Sequence, residues 1–481
     1  MKKYHGIRLA RIAVAVAVAA VLTACVAIGA RCWFTRMQLL PAVMAGGALW
    51  LLLWLVATLV LGRIYCSTAC PMGSLMDAVA RLRMAMEKRR RPYRYAPASM
   101  QVRYLTVVLT AVCMAVGFSL VPSLLDPYSA YARIIATLRS LVALPAGRAA
   151  GVAVLSAVVA ASSLAVVAAV AWRRGRTLCN TLCPVGGALG LLSRVALYHT
   201  EVNRPLCTGC LRCVDACKGL CINPADMSVD PSRCVVCFDC MDACPTGAIT
   251  YLRTRHRIVD PLMQPAKPAG TAAIDAPADT PMRLDRRKFL ALGVVAAAAA
   301  AGSRGSGSTP KAWDPAPMVP LNYPLPPGVN SRHSYMRRCT ACGACTAACP
   351  TGVLRPSMRQ LGVQHAMQPV MDYGTVACLT DCNACTRVCP SGALVPLTLA
   401  EKRRFVIGRV RIRLQNCISY GRGRHCGRCA RVCPVRAIEM TQFSDGRLGP
   451  MARMDACTGC GLCVKACPSQ PFKALVVEGM E

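Results

Sequence analysis

Four long apolar runs mark the first part of the chain, at residues 12–30, 38–62, 104–122 and 151–172, and basic segments separate them. Each run has about 19–25 residues, enough for an α-helix that crosses a hydrocarbon layer ~30 Å thick. None of the runs contains an acidic, basic or histidine residue. The pattern therefore predicts an α-helical membrane bundle of four spans, formed by residues 1–200.

The basic residues predict the orientation of this bundle. They are concentrated at the N-terminus, between residues 63 and 103, and after Trp172, whereas the two other connections contain fewer. Because basic loops stay in the cytoplasm, we expect a multi-pass protein of the bacterial inner membrane, with both ends of the bundle cytoplasmic. A cleaved signal peptide is the alternative for the first run, but its length and the runs that follow favour a retained helix.

Cysteine accounts for 32 of the 481 residues, and its spacing indicates iron–sulfur clusters. The pattern C-x2-C-x2-C-x3-C occurs twice in residues 201–255. In such pairs three close cysteines surround one cluster and the fourth binds the other, whereas zinc sites use two pairs across a longer gap. We expect a cytoplasmic α+β ferredoxin module of the bacterial type. Its two 4Fe–4S clusters would be held by Cys207, Cys210, Cys213 and Cys244, and by Cys234, Cys237, Cys240 and Cys217.

Residues 331–481 contain four more cysteine motifs and predict a second α+β ferredoxin module, with four 4Fe–4S clusters. Two motifs have a widened first gap, which a loop insertion would produce. The motifs could exchange ligands as neighbours, or in a nested order, first with fourth and second with third. The ligands, which bring the predicted clusters of the whole chain to six, are Cys339, Cys342, Cys345, Cys349, Cys378, Cys382, Cys385, Cys389, Cys417, Cys426, Cys429, Cys433, Cys457, Cys460, Cys463 and Cys467.

A linker rich in Pro, Ala and Gly, residues 256–330, joins the two modules. Within it, residues 283–302 have the parts of a twin-arginine export signal: Arg286 and Arg287, then Phe289 and Leu290, then a short apolar run. A short buried helix is the alternative. An export route for folded proteins suits a domain whose clusters are inserted in the cytoplasm. We therefore expect the twin-arginine translocase to place residues 331–481 in the periplasm.

A second kind of cysteine motif follows the second and fourth apolar runs. The sequences CSTACP and CNTLCP contain Cys66 and Cys70, and Cys179 and Cys183, and their repetition suggests two related helical hairpins. Two cysteines four residues apart share one face of a helix. Each pair could bind a metal, exchange a thiol for a disulfide, or form half of a site shared with the other pair. We treat these four as redox or metal-site thiols.

The formal net charge of +35 raises the question of nucleic-acid binding. No recognition helix, aromatic stacking surface or basic arm accompanies this charge. Six clusters with their thiolates would also offset about 12 of the positive charges, at about −2 each when oxidised. We expect no nucleic-acid partner, because basic membrane flanks account for much of the excess.

The four runs, the two C-x3-C-P motifs and the two-cluster module together resemble the NapH family of membrane ferredoxins. From DRRKFL onward the chain is similar to the NapG family of exported ferredoxins, so that the whole resembles a NapH–NapG fusion. The MauN and MauM pair of methylamine utilisation has a similar layout.

The resemblance to NapH and NapG implies a function. Electrons would pass from the membrane quinol pool through the clusters to a periplasmic reductase, most simply nitrate reductase, or to its cytochrome c partner. The MauM and MauN likeness implies the alternative, a redox maturation or regulatory factor for a periplasmic metalloenzyme. The resemblance assigns no quinol-binding residue, although Asp77, His199, Asp126 or Tyr128 could accept quinol protons.

Overall fold

The computed structural model describes residues 2–30, 32–86, 93, 95, 99–143, 154–253 and 318–480. The predicted twin-arginine signal and most of the linker therefore lie outside the described residues. The parts of the chain before and after that segment belong to one compact unit. Contacts between residues 1–200, the predicted membrane bundle that we name the membrane half, and the second ferredoxin module can thus be described.

The first helix, α1, spans Lys2–Ile28 and has 27 residues. Its Ala- and Val-rich interior contains no proline, and Gly29 ends it in the left-handed conformation (φ 73°), with its N–H donating to Cys25 O at 3.0 Å. At 1.5 Å per residue the helix is about 40 Å long. It begins well before the predicted apolar run, so that Arg8 and Arg11 lie on the same helix.

The second apolar run forms two helices rather than one. The chain turns through α2 (Trp33–Arg36) into α3 (Leu39–Ala45), and α4 (Ala48–Leu61) begins three residues later. Gly46, in the left-handed conformation (φ 71°), ends α3, because a residue there cannot continue a right-handed helix. The expected single helix over 38–62 is therefore interrupted.

The other helices of the membrane half are shorter or lie in its connections. Among the described residues, two helical segments are long and apolar enough to cross a membrane, Tyr4–Ile28 and Ser156–Arg174. The apolar helices Ala48–Leu61 and Met100–Val116 are shorter, so that the four-span topology stays a prediction. The remaining helices of this half are α5 Tyr65–Thr68, α6 Pro71–Met86, α7 Met100–Val116, α8 Leu120–Leu125, α9 Pro127–Ala143, α10 Val154–Arg174, α11 Thr177–Thr181 and α12 Pro184–Leu192.

The first ferredoxin module has the expected mixture of short strands and helices. Its strands β1 (Tyr198–Val202) and β2 (Ile249–Arg253) pair antiparallel. Between them in sequence lie α13 (Arg212–Ala216) and α14 (Asp239–Ala243), each of which carries the third cysteine of its motif. Both cysteine motifs therefore lie in the segment of chain that connects the two strands of one ribbon.

The second ferredoxin module contains three such ribbons, all antiparallel. Its strands are β3 Leu354–Pro356 with β4 Pro369–Met371, β5 Gly408–Ile412 with β8 Leu475–Gly479, and β6 Ile438–Gln442 with β7 Leu448–Ala452. Its helices are α15 Arg332–Arg338, α16 Ala344–Ala348, α17 Ala384–Val388, α18 Leu399–Arg404, α19 Ile418–Arg422, α20 Arg428–Arg431 and α21 Leu462–Ala466. Among the described residues, single 3-10 turns are Ser193–Val195, Arg204–Leu206, Val363–His365 and Leu414–Asn416.

Helix α1 contacts the two ferredoxin modules at opposite ends. Near its start, Arg8 Nε donates to Asp239 Oδ1 at 2.8 Å, in the first module. Near its end, Leu22 and Val26 share a buried core with Cys342 of the second module. From Arg8 to Val26 the helix rises about 27 Å, close to the thickness of a hydrocarbon layer.

Candidate metal centres

The ferredoxin cysteine loops share one local geometry. In five of the six motifs a residue with positive φ precedes a short helix, which carries the third cysteine: Leu211, Phe238, Gly343, Gly427 and Gly461. This reversal of the backbone direction turns the three thiols of the loop toward one point. At Gly461 a side chain is also excluded by space, because a Cβ would meet the Tyr373 ring. Leu211 and Phe238 adopt this conformation without being glycine, which costs some backbone energy.

The first module arranges its cysteines in the two predicted sets. Cys217, Cys234, Cys237 and Cys240 line one cavity. In the other set, burial raises the pKa of the Cys213 thiol to about 11, with further contributions from Cys244 and Cys207. The fourth cysteine of each motif therefore turns toward the other set, as the spacing predicted.

In the second module the motifs exchange ligands as neighbours. One cavity is lined by Cys349 together with Cys378, Cys382 and Cys385. Two others are lined by Cys467 with Cys417, Cys426 and Cys429, and by Cys433 with Cys457, Cys460 and Cys463. The last set is Cys389 with Cys339, Cys342 and Cys345, whose thiols act on one another electrostatically. The nested order, first motif with fourth, is not the arrangement in the structure.

These sets fit 4Fe–4S clusters in chemistry as well as in number of ligands. Each offers four thiols around one space, and backbone N–H groups donate to the sulfurs, for example Leu394 N to Cys389 Sγ at 3.4 Å and Ala437 N to Cys433 Sγ at 3.2 Å. Such N–H···S bonds are among the interactions that set the potential of a cluster. That these cysteines ligate six clusters stays a prediction.

A fifth cysteine, Cys221, lies in the cavity of the second set of the first module. Its Sγ is 3.3 Å from Cys217 Sγ, and its N–H donates to the same sulfur at 3.5 Å. The spacing of the motifs leaves Cys221 outside both predicted ligand sets. The thiol is buried, but it contacts a predicted ligand, which the spacing alone did not indicate.

The two C-x3-C-P motifs belong to a longer repeat, G-R-x-x-C-x-T-x-C-P-x-G, at residues 62–73 and 175–186. In both copies a short helix carries the first cysteine and the proline begins the next helix. Proline suits the first helical turn because its missing N–H would have no partner there. We name Cys66, Cys70, Cys179 and Cys183 the repeat cysteines.

The arginines of the repeat cross between its copies. Arg176 Nη1 donates to Cys66 O at 2.7 Å, and Arg63 Nη2 donates to Cys179 O at 3.2 Å. Both arginines are almost fully buried. Each copy thus supplies the donor for the first cysteine of the other, so that the two motifs are related by a pseudo-two-fold axis.

The glycines that end the repeat make this crossing sterically possible. A Cβ at Gly73 would lie 2.5 Å from Cys66 O, and a Cβ at Gly186 would approach Cys179 O still more closely. Real side chains do not tolerate such distances to a backbone atom. The repeat therefore needs Arg, Cys, Pro and Gly together, which explains why the matching residues extend beyond C-x3-C-P.

The repeat cysteines lie together in the structure. Cys66, Cys70 and Cys179 share one buried core. Burial, together with the neighbouring thiols of Cys66, Cys179 and Cys183, raises the pKa of the Cys70 thiol well above its usual range. Both pairs therefore lie near one another, as a shared site would require, and the choice among the three roles stays a prediction.

No three His, Cys, Asp or Glu side chains in the described residues lie close enough to hold one metal ion. This statement covers the ferredoxin sets and the repeat cysteines alike. The iron atoms of a 4Fe–4S cluster each take one cysteine, so that its ligands lie farther apart than those of a single tetrahedral ion.

Of the residues considered for quinol protons, Asp77 and His199 have ordinary partners. Asp77 is buried, and Arg176 Nη2 lies 2.8 Å from its Oδ2. Burial by itself raises the pKa of Asp77, but Arg176 and Lys218 lower it well below its usual range. His199 Nε2 is 2.7 Å from Glu201 Oε1, at an exposed strand position. Both pairs serve the structure.

Asp126 and Tyr128 are buried at the start of α9. Asp126 Oδ2 accepts from Ser129 N at 2.7 Å, and burial raises the pKa of this carboxyl to about 6. The Tyr128 hydroxyl packs in the core that contains Cys342 and has no hydrogen-bond partner among the described residues. Unlike Asp77 and His199, Asp126 and Tyr128 therefore remain candidates for accepting a quinol proton.

Family models of 4Fe–4S proteins match most of the cysteine-bearing segments. Models described as 4Fe-4S dicluster domains match residues 338–394 and 424–470. Models described as 4Fe-4S binding domains match residues 227–249, 43–90 and 156–204. The last two segments each contain one C-x3-C-P motif and no ferredoxin spacing, so that the resemblance to 4Fe–4S proteins extends into the membrane half.

Curated relatives are ferredoxin-type proteins of two systems. The chain is 34% identical over 149 residues to the methylamine utilization ferredoxin-type protein MauM of Paracoccus denitrificans, and 32% identical over 152 residues to the ferredoxin-type protein NapG of Escherichia coli. These alignments take 30% of this chain and 65% and 64% of the relatives, so that the chain spans just under two thirds of their length. The ferredoxin-type protein NapF of Haemophilus influenzae is 29% identical over 143 residues. No solved structure matches the chain.

The chain therefore contains several 4Fe–4S ferredoxin domains and a helical N-terminal region with two candidate apolar spans. Its similarity to NapG, NapF and MauM covers part of the chain and does not extend to a NapH–NapG fusion as a whole.

Proposed function

We propose that this protein carries electrons from membrane quinol, through 4Fe–4S clusters, to a periplasmic oxidoreductase. The bundle would lie in the bacterial inner membrane, with residues 201–255 in the cytoplasm and residues 331–481 exported by the twin-arginine translocase. The similarity to NapG favours nitrate reductase, or its cytochrome c partner, as the acceptor. The protein would have no substrate chemistry beyond quinol oxidation.

The observation that carries this proposal is the position of the two ferredoxin modules at opposite ends of α1. Arg8 contacts Asp239 of one module, and Val26 packs beside Cys342 of the other. An apolar helix with a cluster-bearing module at each end suits an electron carrier of the membrane better than a soluble ferredoxin, whose modules need no such helix. The lengths of the helix and of a hydrocarbon layer also agree.

Each predicted ligand set would supply a site for one-electron transfer, since a 4Fe–4S cluster takes up or releases one electron at a time. The chain's own part is to hold four thiolates, to keep water away by burial, and to direct N–H groups at the sulfurs. Quinol oxidation also releases protons. Asp126, with a pKa of about 6, would accept one of them near neutral pH.

The test is reduction of the purified full chain by a short-chain quinol under anaerobic conditions. We expect the broad visible absorbance of the clusters to fall and the signals of reduced clusters to appear in electron paramagnetic resonance. The iron content expected from the ferredoxin sets alone is about 24 atoms per chain. Clusters that stay oxidised with excess quinol, but are reduced by dithionite, would contradict the proposal.

A second candidate is a redox maturation factor for a periplasmic metalloenzyme. It is favoured by the repeat cysteines, which follow no ferredoxin spacing, and by the similarity to MauM. The two functions differ in what a deletion strain does with an artificial electron donor. Under electron transfer the donor restores turnover of the partner enzyme, because that enzyme is complete. Under maturation the partner stays inactive.

A further inference from the structure

The repeat cysteines form the one group of four thiols, three of them buried and Cys183 half-buried, that the predicted ferredoxin sets do not use among the described residues. They come from two segments more than a hundred residues apart. The crossed arginines and the matching glycines show that the two copies are built to meet. A structure that only buried four unrelated thiols would need neither feature.

We propose that the repeat cysteines together hold a further 4Fe–4S cluster, and that this site conducts electrons between the two ferredoxin modules. Each C-x3-C-P motif would supply two ligands across the pseudo-two-fold axis. The cluster identity follows from four cysteine donors and from the match of both segments to 4Fe–4S binding domains. The conducting role rests on the proposed function, but the presence of the cluster does not.

The charge of the surroundings suits such a cluster. Arg11, Arg63 and Arg176 are buried near the repeat, and Asp77 is the buried acid that accompanies them. Arg103 is buried beside Arg63 as well, since both donate to Ser232 O. The buried guanidinium groups therefore outnumber the buried acid, and an anionic 4Fe–4S cluster with four thiolates, about −2 when oxidised, would offset an excess of positive charge that is costly in a dry interior.

Arg63 in particular is placed to contact the cluster. Its Nη2 lies 3.7 Å from Cys66 Sγ, and its Nε is buried with no hydrogen-bond partner among the described residues. Buried donors are normally satisfied, so an orphaned N–H indicates a missing acceptor. Ligand and inorganic sulfurs of a cluster are acceptors of this kind.

The repeat is joined to the first ferredoxin module by hydrogen bonds to its cysteine loops. Arg176 N donates to Lys218 O at 2.9 Å, Asn180 Nδ2 to Gly219 O at 2.8 Å, and Arg63 Nη1 to Ser232 O at 3.0 Å. Lys218 and Gly219 directly follow the ligand Cys217. The residues that hold the repeat cysteines in place therefore also hold one cluster site of the cytoplasmic module.

Helix α9 lies between the repeat cysteines and the second module. Ala130, Tyr131 and Ile134 share the core of the repeat cysteines, whereas Tyr128, Ala132 and Ala136 share a core with Cys342. The two groups of residues lie on opposite faces of this helix, because successive residues are rotated by about 100°. The path between the repeat cysteines and the second module therefore passes across this one helix.

The position along α1 agrees with this order. Arg11 Nη1 donates to Ser67 O at 3.2 Å, one residue beyond Cys66, and Leu22 packs beside Cys342. Eleven residues of helix correspond to about 16 Å. The site therefore lies between the modules, and the described parts of the apolar helices contain no other cysteine motif of this kind. In the transfer one electron leaves a reduced cluster of one module and reaches an oxidised cluster of the other, and no bond or proton changes.

The experiment is metal analysis of the anaerobically purified full chain. A filled repeat site predicts about 28 iron atoms per chain and no zinc, against about 24 for the ferredoxin sets alone. The double variant Cys66→Ser/Cys179→Ser should lose about four iron atoms. The matched control, Cys32→Ser/Cys113→Ser, removes two thiols outside all the sets and should lose none.

Zinc at one atom per chain, a disulfide between repeat cysteines in tagged mass spectra, or about 24 iron atoms in the unaltered chain would overturn the cluster. The analysis of the unaltered chain decides even if the double variant fails to fold. Failure of the proposed function looks different: about 28 iron atoms, with every cluster oxidised in the presence of quinol.

The conducting role has its own test. Cys66→Ser/Cys179→Ser should slow the equilibration of electrons between the modules at least 100-fold after flash reduction of one of them, and an unchanged rate would contradict that role.

Discussion

The ferredoxin loops and the membrane repeat gather cysteines in two different ways. Each ferredoxin set takes three thiols from one short loop, reversed at a residue such as Gly343 or Gly461, and a fourth from the neighbouring loop. The repeat takes two thiols from each of two distant segments. Among the contacts that bring them together are those of Arg63 and Arg176, whose hydrogen bonds cross between the segments.

This difference has consequences for stability. A ferredoxin set depends on local backbone geometry, so that damage to one loop should stay within two neighbouring clusters. The repeat depends on the assembly of the whole bundle, so that damage to one buried arginine should affect all four thiols at once. The following substitutions test this contrast.

The largest effect is expected from loss of ligands in the second module, and it should follow the neighbour pairing. Cys345 and Cys389 belong to one set, whereas Cys385 belongs to the next. Each single Cys→Ser variant should lose about four iron atoms. The pair Cys345→Ser/Cys389→Ser should lose no more than either single variant, but Cys385→Ser/Cys389→Ser should lose about eight. Equal losses from the two pairs would contradict the pairing, and iron analysis with electron paramagnetic resonance measures them.

Arg176→Ala should destabilise the bundle more than Arg63→Ala. Arg176 holds the buried carboxylate of Asp77 at 2.8 Å, so that its removal leaves a charge without its main partner, at a cost of about 3–5 kcal/mol. Arg63 donates to a side-chain amide, Asn180 Oδ1, and to backbone carbonyls, whose loss costs about 1–3 kcal/mol. Thermal unfolding in mild detergent compares the two variants.

A control for the Arg176 prediction removes the buried charge as well. Arg176→Ala/Asp77→Asn should recover part of the lost stability, because the buried Asp77 carboxylate is then no longer left without its main partner, although Arg11 loses its weaker contact with that carboxylate. Equal destabilisation by the two single variants, with no recovery in the double variant, would mean that the arginines act only as hydrogen-bond donors.

Gly186→Ala and Gly73→Ala test whether the repeat needs glycine at the two positions where a side chain would clash. Their methyl groups would press on Cys179 O and Cys66 O, and overpacking of this kind costs about 1–3 kcal/mol. Both should lower the iron content by up to about four atoms while the ferredoxin sets stay filled. Gly6→Ala is the control, because its Cβ meets nothing within 4 Å. An iron content equal to that of the control would refute the steric account.

Spacing was informative wherever the cysteine geometry is local. The sequence placed Cys244 with Cys207 and Cys217 with Cys234, and the structure has the same sets, since the exchange of the fourth ligand follows from the loop itself. The choice between neighbours and a nested order in the second module was open, because it depends on which strand ribbons pair over long stretches of chain. Only the fold decides that.

The membrane half was predicted less completely. Hydropathy does not reveal that Gly46 divides a continuous apolar run, because glycine is as apolar as its neighbours. The repeated motif in the sequence indicated two pairs of thiols but not that the pairs lie together, since their proximity depends on contacts such as that of Arg176 with Cys66 O. In five of the six ferredoxin motifs a proline follows the fourth cysteine, whereas Lys218 follows Cys217. Lys218 is explained by its buried ion pair with Asp239 at 2.9 Å and by its carbonyl, which accepts from Arg176 N.

The smallest effect is expected from Cys221, a thiol beside a ferredoxin set that is not one of its predicted ligands. Its Sγ is 3.3 Å from Cys217 Sγ, and because a cluster ligand is a thiolate without a proton, Cys221 would be the donor of this contact when Cys217 binds a cluster. A donor stabilises the more negative, reduced cluster, so Cys221→Ala should lower the potential. One net hydrogen bond of about 0.5–1.5 kcal/mol corresponds to a shift on the order of 20–60 mV for one electron.

A redox titration of the purified chain measures this shift, with Cys113→Ala as the control for loss of a half-buried thiol outside the ferredoxin sets. The backbone N–H of residue 221 stays in place, so that only the side-chain donor is removed. Loss of about four iron atoms instead of a shifted potential would show that Cys221 is a ligand, and the local rule for ferredoxin loops would then fail at this set. An unchanged potential would mean that the thiol donates elsewhere. A modest negative shift of the potential with full iron content would agree with ferredoxin sets whose ligands all come from two neighbouring loops, in contrast to the repeat.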